Sequence, residues 1–220
     1  MPSSEKRALI ERVATLCGGS HSKFNQSWSD IKQQRQMQGF YNDKSQNLHD
    51  ATYVGGMCHP MSLYWLALRE KGEKSLFEWL KPGGVWDKGA INVLVIKTAM
   101  YKNNKNNLVS SATHKDFDDQ FFKHYGLSRY GAPLEGMSNV LSYIDRKTAG
   151  YHMIGLSGPT SGHAVAAHVQ PGGESAFFDP NYGEYSFPNP QFLGSFMKGF
   201  MKHSGYETKY TVRQKIETFR

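Results

Sequence analysis

Near Gly150 the hydrophobic pattern of this chain switches from a helical period to a strand period, and that switch limits the folds open to it. Upstream, Leu9, Ile10, Val13 and Leu16 fall at helical spacing and stop at Gly18-Gly19, which predicts a short helix over 4–17. Residues 20–50 are polar and Gln-rich, with a short helix expected near Ser29–Gln38. The stretch Thr52–Arg69 carries an apolar stripe of Met61, Tyr64, Trp65 and Leu68, closed by Lys71-Gly72. Ser75–Lys81 reads as a helical piece halted by Pro82-Gly83-Gly84, and Asp87 as the N-cap of a helix bearing Ile91, Leu94, Val95, Thr98 and Ala99. Thr113 is expected to cap another helix, with Phe117, Phe121 and Tyr125 on one face and Gly126 as its stop; a further helix is expected over 133–148.

Downstream, Tyr151–Leu156, Ala164–Gln170 and Ser175–Asp179 are short apolar or alternating runs, separated by Ser157–Gly162 and Pro171–Glu174. They read as strands of an antiparallel sheet. Phe192–His203 suits a helix over that sheet, and Tyr206, Thr208, Tyr210 and Val212 alternate as a last strand. The fold class is therefore α+β. Residues 1–49 form a polar N-terminal arm with a short helix. Residues 50–220 form one domain, with a helical lobe over about 50–149 and a sheet lobe over about 150–220.

Composition removes several function classes. Of the 220 residues 39% are hydrophobic, which is a globular content, and no apolar run approaches the ~20 residues of a membrane span. The N-terminus lacks the apolar core of a secretory signal, so the chain is expected to be made in a cytoplasm and to leave it without a cleaved leader. The net charge of +7 is scattered rather than striped, and no nucleic-acid-binding motif is present; nucleic acid is not expected as a partner, and an anionic membrane surface is the alternative the charge allows. Two cysteines, Cys17 and Cys58, make neither a disulfide framework nor a structural zinc site, and the nine histidines show no ligand spacing. No metal and no cofactor is expected.

Cys58 is the first candidate. It follows the turn-forming pair Gly55-Gly56 and precedes Pro60, so it sits where a helix begins. There the unpaired N–H groups and the positive end of the helix dipole favour thiolate. His163 opens a strand, and Asp179 ends the next, 179 − 163 = 16 residues on, with a Pro-Gly-Gly turn between them. An antiparallel hairpin brings the start of one strand beside the end of the other, so the carboxylate can orient an imidazole whose other nitrogen faces a thiol. Singly, His163 reads as a strand-edge histidine and Asp179-Pro-Asn-Tyr-Gly183 as a β-turn. Together with Cys58 they point to nucleophilic catalysis.

These three blocks, Gly55-Gly-Met-Cys-His-Pro-Met-Ser-Leu-Tyr-Trp65, Gly162-His-Ala-Val-Ala166 and Phe177-Phe-Asp-Pro-Asn-Tyr-Gly183, resemble those of the YopT-type cysteine proteases, which include AvrPphB-like members. The resemblance spans roughly residues 50–190. It implies a papain-like fold with the site in a cleft between a helical and a sheet lobe, and Cys58 as nucleophile, His163 as general base and Asp179 as orienting acid. It also implies a bacterial effector or toxin domain, delivered into host cells by a specialised secretion system, whose protein substrate is a host signalling protein such as a small GTPase or a kinase. Some members process themselves, and Gly18-Gly19-Ser20 resembles a myristoylation sequence were a cut to expose it. Papain-like enzymes place an amide side chain a few residues before the cysteine as oxyanion donor; here Asp50–Tyr53 occupy that stretch, leaving the Cys58 backbone N–H with Gln46 or Asn47 as candidate second donor. Loops 126–133 and 157–162 are candidate cleft walls. Two other readings use the same residues: a Cys-His-Asp acyltransferase or transglutaminase-like enzyme, and a non-catalytic basic binding module.

Overall fold

The computed structural model describes residues 2–24, 57–72 and 110–220. The expected helices at Ser29–Gln38, Ser75–Lys81 and Asp87–Ala99, the Gly55-Gly56 turn, and the side chains of Gln46 and Asn47 lie outside these residues.

The elements run α1 (Ser4–Leu16), β1 (Ser20–Lys23), α2 (Cys58–Glu70), α3 (Ser110–His124), β2 (Leu134–Glu135), α4 (Met137–Asp145), β3 (Gly150–Ser157), β4 (Gly162–Val169), β5 (Ser175–Asp179), β6 (Gly183–Phe187), α5 (Pro190–Ser204), α6 (Tyr206–Lys209) and β7 (Arg213–Phe219). The strands form one antiparallel seven-stranded sheet in the order β1-β6-β5-β4-β3-β7-β2. The architecture is α+β.

Both faces of the sheet are covered. Because successive strand residues point to opposite faces, β4 sends Ala164 and Ala166 to one side and Val165, Ala167 and Val169 to the other. The first side packs against α2 and α3 through Trp65, Leu63, Leu66, Phe122 and Phe178. The second packs against α1, α4 and α5 through Ile10, Val140, Phe196 and Phe200. Helix α1 begins at Ser3, whose hydroxyl accepts from the Lys6 N–H (3.3 Å), with Glu5 suiting the positive helix end. Ser4–Lys23 are thus built into the fold, α1 into the second core and β1 onto the sheet edge, whereas the sequence placed them in a separate arm.

Helix α2 fixes the site. Its expected single apolar stripe is an understatement, since every residue from Pro60 to Leu68 is buried. Each fully buried Leu or Trp here contributes about 1.5–3 kcal/mol, so the helix has no freedom to slide. Its buried Ser62 hydroxyl donates to the Ala164 carbonyl (3.3 Å) and ties α2 to β4. At its far end Glu184 of β6 accepts from Trp65 Nε1 (2.8 Å) and Arg69 Nη2 (2.7 Å). That carboxylate is buried, and its two donors compensate the lost water.

Four expectations change. Thr113 lies inside α3 rather than at its start. The span 133–148 divides at Gly136 (φ 91°) into β2 and α4. Tyr206–Lys209 is a helical turn and not a strand: Tyr206 and Tyr210 are four apart, a spacing that satisfies period 2 and the helical i, i+4 alike, and left-handed Gly205 both ends α5 and starts α6. The closing strand lies further on, at Arg213–Phe219, and β6 was absorbed into the turn block before it.

Candidate active site

The site lies at one end of the sheet, where β4 begins and β5 ends. The β4–β5 register pairs Ala166 with Phe178 and Ala167 with Phe177. Carried on to the strand ends, it makes His163 and Asp179 diagonal neighbours on the same face, the face of Val165 and Phe177. His163 Nε2 stands 3.1 Å from Asp179 Oδ1, and both side chains are buried. Helix α2 packs on the opposite face, and its first turns lie beside the start of β4, which brings the Cys58 thiol toward the His163 ring. The Cys58 thiol is near enough to the His163 ring for each to shift the other's proton affinity, and with Nε2 facing Asp179 the nitrogen left to face the thiol is Nδ1.

Asp179 makes a β-turn and also faces the His163 ring. Its carbonyl accepts from the Tyr182 N–H (3.0 Å), closing the β-turn, and its Oδ1 accepts from the Asn181 N–H (2.6 Å). The same oxygen faces His163, so the turn holds the carboxylate in place. Gly183 (φ 125°) ends the turn, where a Cβ would lie 2.2 Å from the Ser22 carbonyl; only glycine lets β1 pass.

The electrostatics follow from burial and partners. Burial pushes the Cys58 thiol up, but the His163 hydrogen bond and charge, the Ala164 backbone N–H and the charge of His59 together bring it down to about 7. Burial pulls His163 down, and Asp179, with Cys58, overcomes it and lifts it to about 10. Thiolate and imidazolium therefore coexist between those limits, and the two titrate as a pair. Cys17, by contrast, is pushed up by burial. The Met57 side chain does not cap α2, and Pro60 in its first turn has no N–H to leave unpaired.

Sequence reasoning missed the walls of this site. Tyr206 of α6 meets the His163 ring edge-on at 5.4 Å, and Tyr210 lies nearly parallel to it at 6.1 Å. The Asn181 amide stands 3.3 Å from His163 Nε2 and 3.2 Å from the Tyr206 hydroxyl. Arg7 of α1 donates to the carbonyls of Asn181, Tyr182 (3.4 Å) and Phe24 (3.3 Å), pinning the turn from behind. Beside Cys58, His59 Nε2 stands 2.9 Å from Asp118 Oδ1 of α3. The only signal for these was position, Asn181 inside the turn block and His59 beside the cysteine. Among the described residues no cluster of His, Cys, Asp or Glu could hold a metal, and no helix is long and apolar enough to cross a membrane.

Known proteins share both fold and sequence. The Pseudomonas avirulence protein AvrPphB superposes with a TM-score of 0.56 at 20% identity, over 76% of this chain and 93% of that one; the fold is that of papain-like cysteine proteases. The cysteine protease YopT of Yersinia pseudotuberculosis is 28% identical over 97% of this chain and 67% of its own length. A YopT1 protease of Yersinia enterocolitica is 41% identical over 71 residues, 32% of this chain and 22% of that protein. The model of the peptidase family described as Yersinia/Haemophilus virulence surface antigen matches residues 12–220. With nearly the whole chain matched, this protein belongs to that family and is a cysteine protease.

Proposed function

We propose that this protease cleaves a host protein through an acyl-enzyme, with Cys58 as nucleophile, His163 as general acid–base and Asp179 as its orienting group. The observation that carries this reading is the single imidazole shared between the Cys58 thiol and the Asp179 carboxylate at 3.1 Å. Thiolate Cys58 attacks the scissile carbonyl, and the oxyanion forms beside the Cys58 N–H. Imidazolium His163 then gives its Nδ1 proton to the leaving amine, and the C–N bond breaks to leave a thioester. Water gives a proton back to His163 and attacks the thioester, releasing the carboxylic acid and the thiolate. Asp179 holds Nε2–H throughout, fixing both tautomer and ring plane. Gln46 or Asn47 is the proposed second oxyanion donor.

The substrate we propose is a host signalling protein such as a small GTPase or kinase, reached after delivery from a bacterium by a specialised secretion system. The chain's +7 charge suits a substrate held at an anionic membrane surface. Mass spectrometry after treatment with an epoxide inhibitor of papain-like proteases tests the nucleophile. One adduct on Cys58, none on Cys17 and none in folded His163→Ala is the expected result; equal labelling of both cysteines sinks the assignment. Labelling of new N-termini in a host-cell lysate, with Cys58→Ala as control, then reads the substrate, and identical termini in both samples would remove host proteins as targets.

A further inference from the structure

Cys58 has a second histidine–carboxylate pair beside it. His59 follows it in the first turn of α2, and Asp118, 3% exposed, reaches across from α3 to bond its ring at 2.9 Å. The positive end of a helix disfavours a cation, so an imidazolium persists at this position only if a carboxylate holds it. Asp118 is that carboxylate. Nothing in the acyl-transfer chemistry above uses either residue.

Resting on the assignment of Cys58 as nucleophile, we propose that His59, held by Asp118, is a positioning residue that keeps a second positive charge beside the thiolate whatever the state of His163. The charge matters most while His163 is neutral, as it is in the acyl-enzyme before water attacks, because His163 then supplies none. Once water has given His163 its proton, the departing thiolate meets that imidazolium, and His59 adds a second cation beside it. The groups facing His59 among the described residues are Cys58 on its own helix, Asp118 on α3 and Glu217 on β7. Glu217 is engaged in turn by Arg129 and by Lys215 (2.8 Å), and Arg129 also donates to Asp119 (2.8 Å). Asp118 is therefore the direct ionic partner, with Glu217 neutralised by its own cations. Burial lowers the proton affinity of His59, and the charge and hydrogen bond of Asp118 reverse this, raising it above the ordinary imidazole range.

The test is the pH dependence of Cys58 alkylation by iodoacetamide, read by peptide mass spectrometry, which needs no substrate. In His59→Gln the rate at pH 6 should fall about tenfold, the equivalent of one unit of thiol pKa, with the plateau at pH 9 unchanged. His59→Lys should stay within about threefold of wild type, because it restores the charge. A His59→Gln profile that superimposes on wild type overturns the proposal, as does a Lys variant no better than Gln. Ring-nitrogen NMR titration of the wild-type protein guards against a variant that does not fold: the His59 midpoint must lie above that of an ordinary imidazole, and a midpoint at or below it refutes the idea. Failure of the underlying triad shows separately, as unchanged Cys58 alkylation in His163→Ala.

Discussion

Two histidine–carboxylate pairs flank one sulfur, and they differ in how much water they see. In the pair His163–Asp179 the side chains are 3% and 0% exposed; in His59–Asp118 the histidine is 30% exposed and only the carboxylate is buried. Both pairs hold a proton against burial, but the inner one does so in a dry setting, walled by Tyr206 and Tyr210, where charges interact strongly. The outer pair is partly screened, so its influence is bounded. On the mechanism we propose, the inner pair moves a proton to and from reacting atoms, and the outer one lends a field. A third histidine shows what either ring would become without its carboxylate. His152 is buried and bonded to Thr218 Oγ1 (3.0 Å) and the Thr148 carbonyl (2.9 Å), and burial drives it down to about 3.

The contrast is broken most severely at the inner ring. His163→Ala should lower turnover by about 10⁴–10⁶, a loss of the kind seen when one member of a nucleophile–base unit is removed. A loss below a hundredfold in peptide-cleavage assays would equate the two pairs and defeat the ranking. Asp179→Asn should cost about 10²–10⁴ in kcat and move His163 toward the condition of His152, so its Cys58 alkylation profile should shift to higher pH. An unchanged profile would mean that Asp179 serves the turn alone.

Arg7→Met sharpens the comparison, since Arg7 supports the turn behind the inner pair and touches nothing of the outer one. A loss of about 2 kcal/mol in urea unfolding is expected from carbonyls deprived of a charged donor, while the ring titration of His59 stays in place; movement of both histidines would make the pairs one unit. Acid sensitivity tests the contrast from the side of the third histidine. The folded proton affinities of His152 and His168 are depressed, with His168 at about 4, so below pH 6.5 the unfolded chain binds protons that the folded one refuses. The stability they protect is complete above that pH and falls with acidification toward pH 4 and then 3, by up to about 1.4 kcal/mol per pH unit for His152 and less for the more exposed His168. His163 and His59, raised rather than lowered, add nothing to that acid loss. Urea titrations from pH 7 to 4 that show no slope would contradict the burial argument.

How much of this was readable in the chain depended on whether a residue's role is local or imposed from afar. The strands β3, β4 and β5 were legible because each buries a continuous run, and the Pro171–Glu174 turn tells where the hairpin folds. From these the neighbourhood of His163 and Asp179 followed. Strand β1, Ser20-His-Ser-Lys23, was not legible: it is an edge strand whose residues are mostly exposed, so nothing in its composition records its pairing with β6. The burial of α2 on all sides was also hidden, because Ser62 and the polar heads of Tyr64 and Trp65 made three of its faces look mixed. The pair His59–Asp118 joins residues 59 positions apart, and no local pattern announces such a contact.

The β4–β5 register carries an implication for how such a chain can change over generations. Parity, rather than distance along the chain, couples His163 to Asp179: both sit on odd positions of strands whose partners sum to an even number, as 166 with 178 and 167 with 177. Residues added between Gln170 and Glu174 would only lengthen a surface turn, at a cost that grows slowly with loop size. One residue gained or lost within Ala164–Val169 or Ser175–Phe178 would instead put the imidazole and the carboxylate on opposite faces of the sheet. Lineages built on this hairpin are therefore free to drift in the spacing of their two residues at the turn, while the strand segments stay locked in length.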